Sequence, residues 1–159
     1  MLINHSVLFV CRHNILRSPT AARLLRGILA ALGEEQDWRI ESAGTWTEVK
    51  RIVAPLEGQV NQHTPRSVSR GLLGEFQLVL VMEKGQREAL AFEFPEYRER
   101  IHTLSSMAGH NWDITDPPGH DREELALFER QLAGILQRGL QRIATLARTN
   151  PSQYQQNAE

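Results

Sequence analysis

Cys11 is the single cysteine of the chain, and it opens the run Cys11-Arg12-His13-Asn14-Ile15-Leu16-Arg17-Ser18. A thiol attacks as its thiolate, which needs positive surroundings. A guanidinium such as that of Arg17 can hold two oxygens of a tetrahedral anion at once. A nucleophilic sulfur and such a clamp on one loop suit attack on a phosphate monoester. The ordinary alternative is a small buried hydrophobe at a strand end with an arginine nearby by chance. Context sharpens the first reading. An apolar run precedes Cys11, and Ser18-Pro19 follows with the composition of a helix start. A loop between a strand end and a helix N-terminus faces unpaired amides and a partial positive charge. Both bind anions and favour the thiolate. Ser18 is expected either to cap the helix or to donate to the sulfur.

Asp116 is the second chemical residue, in Asp113-Ile114-Thr115-Asp116-Pro117-Pro118-Gly119. Dephosphorylation through sulfur needs an acid for the leaving alkoxide or phenoxide, and then a base for the attacking water. A carboxyl stiffened by adjoining prolines fits both tasks. A plain Asp-Pro turn is the everyday alternative. Asp113 competes for the role but lacks an adjoining proline.

The elements that must position these groups alternate. Residues 6–10 read as a buried strand, and a helix follows with Ser18 as N-cap and Pro19 at its first position. Ala21, Leu24, Leu25 and Ile28 fall at helical spacing, and Gly33 ends that helix. Strands are expected over 38–42, 78–82 and 101–104, and helices over 54–62 (weak) and 83–92. Residues 105–120 read as an irregular loop. Residues 122–148 form a long amphipathic helix with Leu125, Phe128, Leu132, Ile135, Leu136, Ile143 and Leu146 on one face. The expected fold is α/β: a small doubly wound sheet of four parallel strands with helices on both faces and a phosphate-binding loop after strand 1. Such sheets bind ligands beyond the carboxyl ends of their strands. That directs attention to residues 11–18, 43–50 and 105–120. A single domain over 1–150 with a frayed tail over 151–159 accounts for the length of 159 residues.

Composition narrows the function classes. Lys plus Arg is 18 and Asp plus Glu is 19, which argues against a general nucleic-acid partner. No apolar run approaches the roughly 20 residues that cross a bilayer, and residues 1–5 do not read as a secretory signal. A lone cysteine forms no internal disulfide and supports neither a thiol relay nor a cysteine-based zinc site. The 6 histidines show no metal-ligand spacing. The expected location is the cytoplasm, and no cofactor or metal is expected.

The chain resembles the low-molecular-weight protein tyrosine phosphatases over nearly its whole length. Val7-Leu8-Phe9-Val10-Cys11 with Asn14 and Arg17-Ser18-Pro19 resembles that family's phosphate loop, and Ser42-Ala43-Gly44-Thr45 its second-strand motif. The segment from Phe76 to Glu83 resembles its third strand, and Asp116-Pro117 its general-acid dipeptide. Met82-Glu83-Lys84-Gly85 with Leu90 is most similar to the bacterial branch associated with capsule and exopolysaccharide tyrosine kinases. The resemblance implies a phosphotyrosine protein phosphatase with Cys11 as nucleophile, Arg17 as clamp and Asp116 as acid and base. It implies a phosphate cradle made by Arg12, His13, Asn14, Ile15, Leu16, Arg17 and Ser18. It implies a phosphorylated protein as partner, a bacterial tyrosine kinase among the candidates. Trp46 is expected either to wall the substrate cleft or simply to pack on the domain. His63-Thr64-Pro65-Arg66 resembles a structural segment of the family.

Three departures stand out. His13 occupies the place of a family glycine, and is expected either to strain the loop or to turn outward beside Arg12, lowering or pH-shifting activity. Leu16 stands where many members carry a second cysteine, so oxidation of Cys11 is expected to lack disulfide rescue. Pro118 replaces an aromatic residue after the acid. Ile15 is the residue of the tyrosine-directed pattern, and phosphoarginine-directed relatives carry Thr there. Other classes remain: a phosphocysteine carrier, which needs no general acid, and a catalytically dead phosphotyrosine-binding module. Arsenate reduction is disfavoured because relay cysteines are absent.

Overall fold

The computed structural model describes residues 3–46 and 63–149. Four parallel strands, β1 (His5–Cys11), β2 (Trp38–Gly44), β3 (Leu78–Val81) and β4 (Ile101–Thr103), form one sheet in the order β2-β1-β3-β4. The central strands read as unbroken apolar runs because both faces of the sheet are covered. Side chains alternate across it. Val7, Phe9 and Cys11 share a core with α1 (Arg17–Ala31) and α5 (Arg122–Ala147). Leu8 and Val10 point the other way, into a core shared with α2 (Arg70–Gly74) and α3 (Lys84–Glu93).

The long helix packs as its pattern requires. Phe128, Leu132, Ile135, Leu136 and Ile143 are buried, while Leu125 and Leu146 lie at the margin of the same cluster. Each buried side chain of this size stabilises the fold by about 1.5–3 kcal/mol. Gly33 adopts φ +73° just beyond α1, the left-handed turn that ends a helix.

Some boundaries differ from the sequence reading. Helix α1 begins at Arg17, with Leu16 in the capping position and no side-chain cap. The Ser18 hydroxyl is engaged below the loop instead, as described next. A short helix, α4 (Leu104–Met107), occupies the start of the expected loop, with Leu104 and Met107 in the core beside α5. Helix α2 and the 3-10 turn Pro95–Arg100 carry no strong periodicity and were not expected. The expected helix over 54–62, the part of the 43–50 loop beyond 46, and the tail over 151–159 lie outside the described residues.

The strands share a direction, and Cys11 is level with Gly44 while Val10 is level with Val81. The loops after β1, β2 and β3 therefore emerge together at one edge. The switch between β2 and β3 on either side of β1 opens a crevice there.

Two histidines make the fold acid-sensitive. His5 stacks on Trp38 at 4.4 Å, and its Nδ1 has no hydrogen-bond partner. Burial lowers its pKa, and nearby Arg148 adds to the effect. Burial also lowers the pKa of His102, against the bond it donates to the Glu99 carbonyl. The unfolded chain therefore takes up these protons first. Their contribution is intact above about pH 6.5 and lost as pH falls below it. The melting temperature should drop between pH 7.5 and 5.5. A His5→Phe/His102→Gln variant should show a shallower drop, and an unchanged slope would count against this assignment.

Candidate active site

Cys11 ends β1 and is buried, and the chain then turns through residues 12–16 into α1. Asn14 makes that turn, with φ +55°. This left-handed conformation costs a non-glycine residue about 1–3 kcal/mol, and asparagine tolerates it better than most. Five hydrogen bonds hold it. Its Nδ2 donates to Ser18 Oγ and to Ser42 Oγ, both at 2.9 Å, and its Oδ1 accepts from the Arg66 amide at 3.1 Å. Its carbonyl accepts from His63 Nε2 at 2.8 Å, which fixes that ring's tautomer, and its amide donates to Cys11 Sγ at 3.3 Å. At about 1 kcal/mol each, these bonds outweigh the strain.

Ser18 Oγ lies 3.0 Å from Cys11 Sγ and 3.3 Å from the Ala43 carbonyl. Ser18 Oγ accepts from Asn14, and its single proton has the sulfur and the Ala43 carbonyl as possible acceptors. The sulfur accepts from the Asn14 amide and has the Ser18 hydroxyl within reach. Because Leu16 occupies the cap position, no side chain caps α1. Its first amides stay available to an anion.

Arg17 is 4% exposed. Its Nη1 donates to Glu83 Oε1 at 2.5 Å and to the Ile114 carbonyl at 2.9 Å. Its Nε lies 3.2 Å from Asp116 Oδ1, an ion-pair contact. That contact lacks hydrogen-bond alignment, so the buried Nε–H has no partner. Glu83 lies two residues beyond β3 and caps α3 in a reciprocal box with Gln86. Capping fixes the carboxylate that fixes the guanidinium. The Asp116 loop is tied down by the Ile114 amide on the Met82 carbonyl and by Asp113 Oδ1 on the Lys84 amide, both at 2.8 Å. The Asp116 side chain itself is 55% exposed.

A cavity of about 120 Å³ brings together Cys11, His13, Ile15, Leu16, Arg17, Asp116 and His120. Arg12, Asn14, Ser18 and Trp46 are not among its lining residues. Asn14 and Ser18 are buried beneath the loop. Arg12 lies on the Trp46 indole, 5.1 Å from its centroid, and His13 Nδ1 bonds the Trp46 carbonyl at 3.0 Å. His13 does not take a positive φ, so its side chain imposes no left-handed strain where the family has glycine. Among the described residues no group of three or more His, Cys, Asp or Glu side chains could hold a metal ion.

Several contributors escaped the sequence reading. His120 lines the cavity with no motif to mark it. Ser42 and Glu83 lay inside quoted motifs without an assigned role. His63 and Arg66, from the segment that resembles a structural one of the family, support the loop through Asn14. Arg66 also binds the Ser42 carbonyl and Glu41 Oε1, each at 3.0 Å.

Comparison with known proteins gives a consistent answer. The family model described as low molecular weight phosphotyrosine protein phosphatase matches residues 6–152. Low molecular weight protein-tyrosine-phosphatase Wzb of Escherichia coli (strain K12) is 34% identical, over 77% of this chain and 84% of its own length. The protein-arginine-phosphatase of Bacillus subtilis (strain 168) is 29% identical, over 83% of this chain and 97% of its own. The crystal structure of a low molecular weight protein tyrosine phosphatase from T. tengcongensis superposes with a TM-score of 0.75 at 27% identity, covering 87% of this chain and 99% of that one.

Gly44 sits against the back of the loop. A β-carbon there would lie 2.9 Å from both the Arg12 carbonyl oxygen and the Asn14 amide nitrogen. Neither backbone atom can move without unseating Asn14. Gly44→Ala should cost about 1–3 kcal/mol in urea denaturation and abolish measurable binding of inorganic phosphate. Wild-type stability with intact phosphate binding would show that the loop yields.

Proposed function

The chain belongs to the low molecular weight phosphotyrosine protein phosphatase family, and on that premise we propose that it hydrolyses protein phosphotyrosine through a phosphocysteine on Cys11. The observation that carries this reading is the unpartnered Arg17 Nε–H, buried at the cavity that also holds the Cys11 sulfur. An incoming phosphoryl group supplies the acceptor it lacks.

The thiolate attacks phosphorus. The S–P bond forms as the bond to the phenolic oxygen breaks. Asp116 passes its proton to that oxygen, and the phenol departs. Arg17 and the free amides of the loop and first helical turn hold the equatorial oxygens in the transition state. Asp116, now a carboxylate, takes a proton from water. The water oxygen attacks phosphorus, the S–P bond breaks, and the thiolate and inorganic phosphate are restored. Glu83 and the Ile114 carbonyl act through Arg17 as positioning groups. Asn14, Ser42 and His63 act through the loop.

Ile15 gives the cavity an apolar wall, which suits an aryl ring better than a guanidinium leaving group. That favours phosphotyrosine over phosphoarginine, the substrate class named for the Bacillus subtilis relative. The family glycine and the aromatic residue after the acid are here His13 and Pro118, and His13 and His120 line the cavity in this chain. The partner is a tyrosine-phosphorylated protein of the cytoplasm, and the resemblance of Met82-Glu83-Lys84-Gly85 to the bacterial branch associated with capsule and exopolysaccharide tyrosine kinases points to such a kinase. No helix among the described residues is long and apolar enough to cross a membrane.

Hydrolysis of p-nitrophenyl phosphate and of phosphotyrosyl and phosphoarginyl peptides tests the proposal. Cys11→Ser should abolish turnover. Asp116→Asn should lower kcat by about 10²–10⁴, and kcat/KM should favour the phosphotyrosyl peptide. Turnover that survives Cys11→Ser would refute the cysteine mechanism. A preference for phosphoarginine would overturn the substrate assignment.

A further inference from the structure

A second cavity, larger than the one at Cys11, measures about 480 Å³ and lies between α5 and the segment 112–115. That is within the range of small-molecule sites, roughly 300–1,000 Å³. Ile114, Phe128, Leu132 and Ile135 give it an apolar floor, and the half-exposed Trp112 indole stands at its side.

Its other wall is charged. Arg130, Gly134 and Arg138 are spaced four apart, so they fall along one line of α5. The glycine leaves a gap between two arginines, at a place where helix propensity alone favours almost any other residue. Arg138 leans across that gap, its Nη1 3.5 Å from where a Gly134 β-carbon would sit. None of the ion pairs among the described residues includes Arg130 or Arg138. Asp113 also lines the cavity, but its Oδ1 already accepts from the Lys84 amide at 2.8 Å. Two guanidiniums face one engaged carboxylate, so the balance favours an anion.

We propose that this cavity binds a small aromatic anion, its ring on the apolar floor beside Trp112 and its carboxylate or similar group held by Arg130 and Arg138. The site is coupled to the first cavity through a single residue. The Ile114 side chain forms part of the floor, and its carbonyl accepts from Arg17 Nη1 at 2.9 Å. A ligand that shifts Ile114 therefore shifts the phosphate clamp.

The test uses 2-naphthoate as probe and does not depend on turnover. It is titrated into ¹⁵N-labelled protein with saturating inorganic phosphate present to occupy the Cys11 cavity. The Trp112 indole N–H and Arg17 Nε–H resonances should both shift saturably. Arg130→Gln/Arg138→Gln should weaken binding by about tenfold or more, as expected for lost charge-assisted bonds. Gly134→Leu fills the gap with a better helix former and should abolish binding while leaving amide shifts elsewhere unchanged. An absent or non-saturating Trp112 shift, or binding undiminished in both variants, would overturn the site. A Trp112 shift with an unmoved Arg17 resonance would overturn the coupling.

Discussion

The left-handed turn at Asn14 is the constraint on which the site depends. It aims the chain from the end of a buried strand into a helix within a few residues, and brings a sulfur and a guanidinium to one cavity. The conformation is unfavourable for any side chain. It persists because five partners from separate parts of the chain converge on one amide side chain and its own peptide groups. Ser42 comes from β2, Ser18 from α1, and His63 and Arg66 from the segment that pairs beside Gly44. These bonds tie the loop to the sheet that carries it. A phosphate cradle must be built this way, because amides that relax toward each other would no longer await an anion.

The second constraint is the placement of Arg17. A buried guanidinium without anionic partners would be costly. Glu83 and Asp116 supply charge, and the Ile114 carbonyl supplies a further acceptor. These partners leave Nε–H unbonded. The guanidinium is thus held by the protein itself and keeps one unpaired donor. The turn from β3 into α3 contributes Glu83, and the segment before Asp116 contributes the Ile114 carbonyl. The same loop places Asp116 at the Cys11 cavity and Ile114 at the cavity beside α5.

Most of this framework was legible in the sequence. The four strands and the long helix announce themselves because buried parallel strands and an amphipathic helix have strong periodicities. Cys11, Arg17 and Asp116 were legible by residue type and spacing, and the structure brings all three to one cavity. What escaped did so for identifiable reasons. Helix α2 and the turn at Pro95–Arg100 span 5 and 6 residues, too short for a helical period to show in the sequence. Ser18 reads equally as an N-cap or as a partner of the sulfur, two uses that spacing alone does not separate, and its hydroxyl lies against the sulfur. His120 and Glu83 act across long sequence separations that no local motif records. Trp46, read as either cleft wall or surface packing, lies under Arg12 outside the lining of the Cys11 cavity.

The central claim is that Cys11 carries the phosphoryl group, and the phosphoenzyme itself is its most direct test. Asp116→Asn protein mixed with p-nitrophenyl phosphate is quenched in denaturant within a single turnover and its peptides are analysed by mass spectrometry. The account predicts one phosphoryl adduct, on the peptide containing Cys11, with Cys11→Ala protein carrying none. An adduct on another residue, or p-nitrophenol release in Cys11→Ala protein at the wild-type rate, would contradict it.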